Sequence, residues 1–314
     1  MTYKSSDLRI LFVGAVHFSE HCLREVLGAG GNVVSVFTLP PERARRHSDY
    51  ADLGETAREH GIPAVYLGER ITKPANVEAI RDLMPDVILI LGWSELVSAE
   101  ILSIPTIGCI GSHPALLPRN RGRHPLIWAL VQGWTESGLT FFFVDEGTDS
   151  GDILWQKPFP ITEEDDAASL YRKVEELAAE GIAEFLPQLA DGTYVRLPQD
   201  HSKATYLRKR TRDDGEIDWT MPPTAIRNLV RGLTKPYPGA HTYLGDAVIR
   251  VWGSRLLLEG LAEQSERCRP GEVLRVDEEG LVVATGGSDA LLITEYEPVE
   301  STAVASGDIL GRSS

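Results

Sequence analysis

His113 and Asp149 have the residue types and the surroundings from which chemistry is most readily built. The histidine closes an apolar run that begins at Thr106. It is followed by the rigid turn Leu116-Leu117-Pro118 and by the cationic residues Arg119, Arg121, Arg123 and His124. A strand that ends on such a group presents it to a ligand at the sheet edge. Imidazole has an unperturbed pKa of about 6.5, so it exchanges protons near neutral pH. Asp149 belongs to Asp145-Glu146-Gly147-Thr148-Asp149-Ser150-Gly151-Asp152, a glycine-broken loop after the apolar run Gly138 to Val144. Such a loop is too acidic to be buried unpaired. A carboxylate beside a histidine fixes the ring and stabilises its cationic form. Arginine's planar fork suits a diphosphate, which makes Arg119, Arg121, Arg123 and His124 candidate substrate-binding residues.

Together these two segments resemble the folate-dependent formyltransferases. That family includes methionyl-tRNA formyltransferase, glycinamide ribonucleotide transformylase and the N-formyltransferases of nucleotide-linked amino sugars. In it, Asn-x-His-x-x-Leu-Leu-Pro precedes Asp-x-Gly-x-Asp-x-Gly-Asp, and the Asn, the His and the second Asp form the catalytic group. Carried onto this chain, the resemblance makes His113 the proton-transfer and oxyanion-contacting residue and Asp149 the group that orients it. The asparagine position is held by Gly111, which has no side-chain donor. Losing one oxyanion donor typically costs about 10²–10³ in rate. Ser112, Arg121, Arg123, His124 or a held water are the candidate substitutes.

The resemblance further implies N10-formyltetrahydrofolate as co-substrate, at an edge lined by Gly92, Trp93, Ser94, Glu95, Leu117, Pro118, Asp145 and Gly147. It continues through Arg210 to Trp219 and Leu233 to Ala240, which look like the C-terminal domain joined to these enzymes. The likeness is strongest to enzymes acting on nucleotide-linked amino sugars such as UDP-4-amino-4-deoxy-arabinose. The implied function is N-formylation of such a sugar for surface polysaccharide, with a nucleotide sugar as small-molecule partner and a homodimer left open. Formylation of methionyl-tRNA is the alternative. Gly111 keeps a third reading in view, a catalytically impaired folate-binding homologue.

The elements that must position these residues follow from periodicity. Leu8 to Val13, Val33 to Phe37 and Asp86 to Leu91 are apolar runs suited to strands buried on both faces. Helical spacing intervenes at Phe18 to Leu27, Leu53 to His60 and Val77 to Leu83, with a short strand near Val65. This alternation predicts an α/β, Rossmann-like, mostly parallel sheet with helices on both faces. The loops after three strands, carrying Gly92, His113 and Asp149, are expected to converge on one edge. The turn Val13-Gly14-Ala15-Val16-His17 lacks Gly-x-Gly-x-x-Gly, which argues against a dehydrogenase and makes Gly14 a turn residue. A long helix is expected over Ala167 to Leu189, a polar linker over 191–209, and then a smaller, β-rich, OB-like domain. The expected domains are thus 1–190, catalytic, and 210–314.

At 314 residues the chain can bury the cores of one large or two ordinary domains. No apolar run reaches the roughly 18 residues that span a bilayer, and Met1 to Arg9 lacks the apolar core of a signal peptide. A cytoplasmic protein with no membrane partner is expected. Cys22, Cys109 and Cys268 are widely separated, which supports three free thiols and neither a disulfide framework nor a metal site. The net charge of −15 repels phosphodiester backbones and weighs against a nucleic-acid partner.

Overall fold

The apolar runs fold as parallel strands because each helix that follows returns the chain to the end of the sheet where the previous strand began. The computed structural model describes residues 7–46, 49–257, 268–287, 289–298 and 303–312. Its first elements are β1 (Arg9–Val13), α1 (His17–Gly28), β2 (Asn32–Thr38), α2 (Leu53–Glu59) and β3 (Ala64–Tyr66). Then come α3 (Pro74–Asp82), β4 (Val87–Ile90), the single turn α4 (Ala99–Leu102) and β5 (Gly108–His113). A two-residue β6 (Arg121–Gly122), α5 (Pro125–Val131), β7 (Glu136–Phe143), β8 (Ile153–Pro160) and α6 (Ala167–Asp191) follow.

The main sheet has the order β3-β2-β1-β4-β5-β7-β8. β1, β2, β3, β4 and β5 are mutually parallel, and all four residues of β4 are buried. β7 instead runs antiparallel to β5, pairing Ile110 with Phe143 and His113 with Thr140. The end of β7 therefore lies beside the start of β5, not at the edge where β4 and β5 end. This corrects the expected convergence of three strand ends: the loop carrying Asp149 has to double back along the sheet to reach His113.

On α6, Phe185 packs at 4.9 Å, ring centre to ring centre, against Phe141 of β7 with the rings tilted by 60°, and both are fully buried. Burying side chains of this size contributes roughly 1.5–3 kcal/mol each.

The chain divides into two units. The first takes the residues up to Pro125, Ser137–Phe159 and Arg172–Leu207, and the second takes Leu126–Glu136, Pro160–Tyr171 and the chain from Arg208 onward. The segment expected to be a linker is part of the first unit as far as Leu207. Its β9 (Tyr206–Leu207) pairs in parallel with β6, and Leu197 bridges to Ile153.

The second unit adds α7 (Pro223–Leu233) and the strands β10 (Ala240–Leu244), β11 (Ala247–Leu256), β12 (Val273–Asp277), β13 (Gly280–Thr285) and β14 (Asp289–Pro298). These form a five-stranded antiparallel sheet, β10-β11-β14-β13-β12. Ile226 and Val230 of α7 pack into one core with Ile127, Trp219, Ile249, Val251 and Leu291. Buried Trp219 donates its indole N–H to Thr242 Oγ1 at 2.9 Å, satisfying the one polar atom of its side chain.

Candidate active site

Ser19 joins the ends of β1 and β4. Its Oγ accepts from the amides of Ala15 and Val16 at 3.1 and 3.2 Å and donates to the carbonyl of Leu91 at 2.6 Å. Gly14 is needed for that closeness, because a Cβ there would lie 2.6 Å from the Leu91 oxygen. Gly92 follows at φ +65°, a conformation that favours glycine.

The result is a small cavity lined by Ala15, Leu39, Gly92, Trp93, Ser94 and Glu95. Trp93 Nε1 and Glu95 Oε2 in its lining are buried without a hydrogen-bond partner. Each such atom costs roughly 1–3 kcal/mol unless something pairs with it. A heteroaromatic ring with donors and acceptors along its edge, such as a pterin, fits this set. Arg43 is committed here: it donates to Glu95 Oε1 at 2.8 Å and to the Leu67 carbonyl at 3.2 Å.

His113 ends β5 and is 4% exposed. Its Nε2 lies 2.7 Å from the carbonyl oxygen of Asn120. A carbonyl only accepts, so Nε2 carries the proton and Nδ1 is the exchangeable nitrogen. Nδ1 faces Asp149 Oδ2 at 3.6 Å. The same oxygen accepts from the Gly122 amide at 2.8 Å. Asp149 sits at φ +48° and Asn120 at φ +62°, left-handed positions that Asn and Asp tolerate better than most residues. The Asp149 side chain is 22% exposed against 5% for His113, so Asp149 is the member of the pair that a ligand reaches first.

The remaining expected site residues scatter. Gly111 is buried in β5, and a Cβ there would meet Val144 Cγ2 at 3.0 Å and the Phe142 ring at 3.2 Å. The position that the missing side chain would start from is therefore hemmed in by apolar groups. Ser112 lies on the opposite pleat of β5 from Gly111 and His113, which removes it as their neighbouring donor.

Arg121 was expected at the surface as a phosphate ligand, but it is 2% exposed and satisfied internally by Gln199, Tyr206 and His201. Leu117 is likewise a core side chain, packed with Phe142 and Ile153, while Pro118 is half-buried beside it. The Asp145 carboxylate is used within its own loop, accepting from the Gly147 amide and Ser150 Oγ. Arg119 and Arg123 are exposed and His124 is half-buried at φ +57°. Arg123 donates to the Ser94 carbonyl at 3.2 Å and so spans from the loop after β5 to the loop after β4.

Cys109 within β5 is 2% exposed, and burial pushes its thiol up to about 12. Sequence reasoning missed Asn120, Gly122 and Gln199, which act through a carbonyl, an amide and a neutral amide side chain. The left-handed tolerance of Asn120 beside Gly122 was the one signal available for them.

A family model described as formyl transferase matches residues 8–186, and one described as the formyl transferase C-terminal domain matches 209–312. The chain belongs to the formyltransferase family. Methionyl-tRNA formyltransferase of Geobacter sulfurreducens is 38% identical over 294 residues, covering 93% of this chain and 90% of that one. Among solved structures, HypX from Aquifex aeolicus in complex with tetrahydrofolic acid superposes with a TM-score of 0.66 at 21% identity. It covers 93% of this chain but 44% of HypX. WlaRD, a sugar 3N-formyl transferase, superposes with a TM-score of 0.66 at 15% identity, covering 94% of this chain and 99% of its own. The formyltransferase described here takes its one-carbon group from N10-formyltetrahydrofolate, the donor of its family.

Proposed function

We propose that this formyltransferase acts on the amine of methionyl-tRNA. The observation that carries this reading is the 38% identity to a protein of that name, extending through both domains. It favours methionyl-tRNA over the amino-sugar nucleotide expected from sequence, which becomes the second reading. That reading keeps the support of the −15 net charge and of Arg43 being held by Glu95, both unhelpful for gripping a polyanion.

Transfer to an amine needs a positioned nucleophile, removal of its proton and donors for the carbonyl oxygen as charge develops. Trp93 and Glu95 would hold the folate through their open Nε1 and Oε2 atoms. When bound, the folate supplies a formyl group on a nitrogen that can leave. Asp149 receives the approaching amine, and the proton released passes into the His113–Asp149 pair. His113 Nδ1 takes it up, with the Asp149 carboxylate at 3.6 Å stabilising the imidazolium, and then returns it to the nitrogen from which the formyl group departs, so that one C–N bond forms as the other breaks with no net change in protons. Among the expected substitutes for the asparagine donor, we favour Arg123. It is exposed, cationic and anchored to Ser94 between the two loops.

The test is an acceptor screen with N10-formyltetrahydrofolate, offering methionyl-tRNA beside UDP- and dTDP-linked amino sugars and detecting the formylated product by mass. Formylated methionyl-tRNA is expected, with an apparent affinity that falls steeply with salt. A formylated amino sugar with untouched methionyl-tRNA would overturn the reading in favour of the second.

A further inference from the structure

Asp149 is held from behind by a side chain lying between the two matched family segments, 8–186 and 209–312. Gln199 is 6% exposed. Its Nε2 donates to the carbonyl oxygens of Asp149 at 3.0 Å and Gly151 at 2.6 Å. Its Oε1 accepts from Arg121, from Nη2 at 2.7 Å and from Nε at 3.3 Å.

Arg121 has no carboxylate against it among the described residues; its other donors meet Tyr206 Oη and His201 Nδ1, each at 3.1 Å. A guanidinium has no acceptor and keeps its charge, so it dictates which end of the Gln199 amide it faces. The oxygen turns to Arg121, and the NH₂ is left for the two carbonyls. Those carbonyls flank the turn that places Asp149 at φ +48°, with its carboxylate on the Gly122 amide and His113.

We propose that Gln199 is a positioning residue for catalysis. Oriented by the buried Arg121, it clamps the turn from Asp149 to Gly151 so that the Asp149 carboxylate stays on His113. The inference rests on His113 and Asp149 being the catalytic pair.

Gln199→Glu separates its two roles, since a carboxylate still accepts from Arg121 but cannot donate to the carbonyls. With N10-formyltetrahydrofolate and methionyl-tRNA, kcat is expected to fall about 10- to 100-fold, the scale of loss from a small misplacement at a reacting centre. KM for both substrates should stay close to the parent values, while the melting temperature should fall by only a few degrees, as expected for carbonyls left without a donor. Independently of turnover, hydrogen exchange of the Gly122 amide should accelerate as it loses Asp149.

An unchanged kcat would overturn the proposal, and so would a fall in kcat with Gly122 still protected. The double variant Arg121→Met/Gln199→Met leaves no cation unpaired and should show the same kcat loss in folded protein. Activity lost only in step with folding, in both variants, would make Gln199 a support of the fold alone. His113→Ala and Asp149→Asn are measured beside them. Normal turnover in those two would sink the catalytic pair, whereas their loss with an intact Gln199→Glu would sink only the clamp.

Discussion

The tautomer of His113 is set by its neighbour, because the Asn120 carbonyl at 2.7 Å leaves only Nδ1 to trade protons. That nitrogen faces a carboxylate that the Gly122 amide holds in place. His113→Ala and Asp149→Asn are each expected to lower kcat by about 10²–10⁴, the range that a positioned acid-base group supplies. Near-normal turnover in either, with unchanged circular dichroism, would show the pair misassigned.

Gly111 carries the second prediction at this scale. Its Cβ position is flanked by Val144 and Phe142 at 3.0 and 3.2 Å, so Gly111→Asn overpacks the sheet face. A loss of about 1–3 kcal/mol in denaturant unfolding is expected, together with lower turnover. Adding Val144→Ala should recover much of the stability. A rate gain from Gly111→Asn alone would mean that the site was waiting for an asparagine donor and is not compensated.

Among the elements, the antiparallel pairing of β7 with β5 decides how the site is assembled. Val144 and Phe143 lie near the start of β5, so the Asp145 to Asp152 loop must fold back toward His113, where Gln199 and the Gly122 amide bond to it. The folate side depends on a smaller device, the Ser19 hydroxyl that joins the ends of β1 and β4. Ser19→Ala would leave two amides and a carbonyl short of a partner, costing about 1–3 kcal/mol of stability for a buried group. Titration calorimetry should show weakened binding of 5-formyltetrahydrofolate, because Gly92 to Glu95 follow directly on the carbonyl that Ser19 holds. Unaltered folate affinity in folded Ser19→Ala would separate the joint from the cavity.

Across the molecule, pH acts on the second unit through His241, which is 7% exposed with an unpartnered Nε2. Burial first, and then the nearby Arg212, hold its pKa below the ordinary 6.5; Glu216 opposes them and Arg312 adds to the lowering. The unfolded chain therefore binds the proton first as pH falls, so this contribution is complete above about 6.5 and is lost below it. Calorimetric melting of the C-terminal transition is expected to drop between pH 7 and 5, and His241→Asn should flatten that slope. An identical slope in the variant would assign the acid sensitivity to other groups. In the first unit the same physics keeps Cys109 protonated, since burial lifts its thiol to about 12.

The sequence alone determined the strands, the long helix and the His113 and Asp149 motifs, because these are local. An apolar run such as Val87 to Ile90, fully buried in the sheet, can be read without knowing its neighbours. What it could not decide were properties of pairing across distance. The direction of β7, the burial of Arg121, and the place of residues 191–207 depend on partners far along the chain. Arg121 reads as a surface cation until its partners Gln199 and Tyr206, 78 and 85 residues away, come into view. Polarity marks a residue as fit for solvent or a ligand, and only the tertiary structure shows when a buried hydrogen-bond network takes its place.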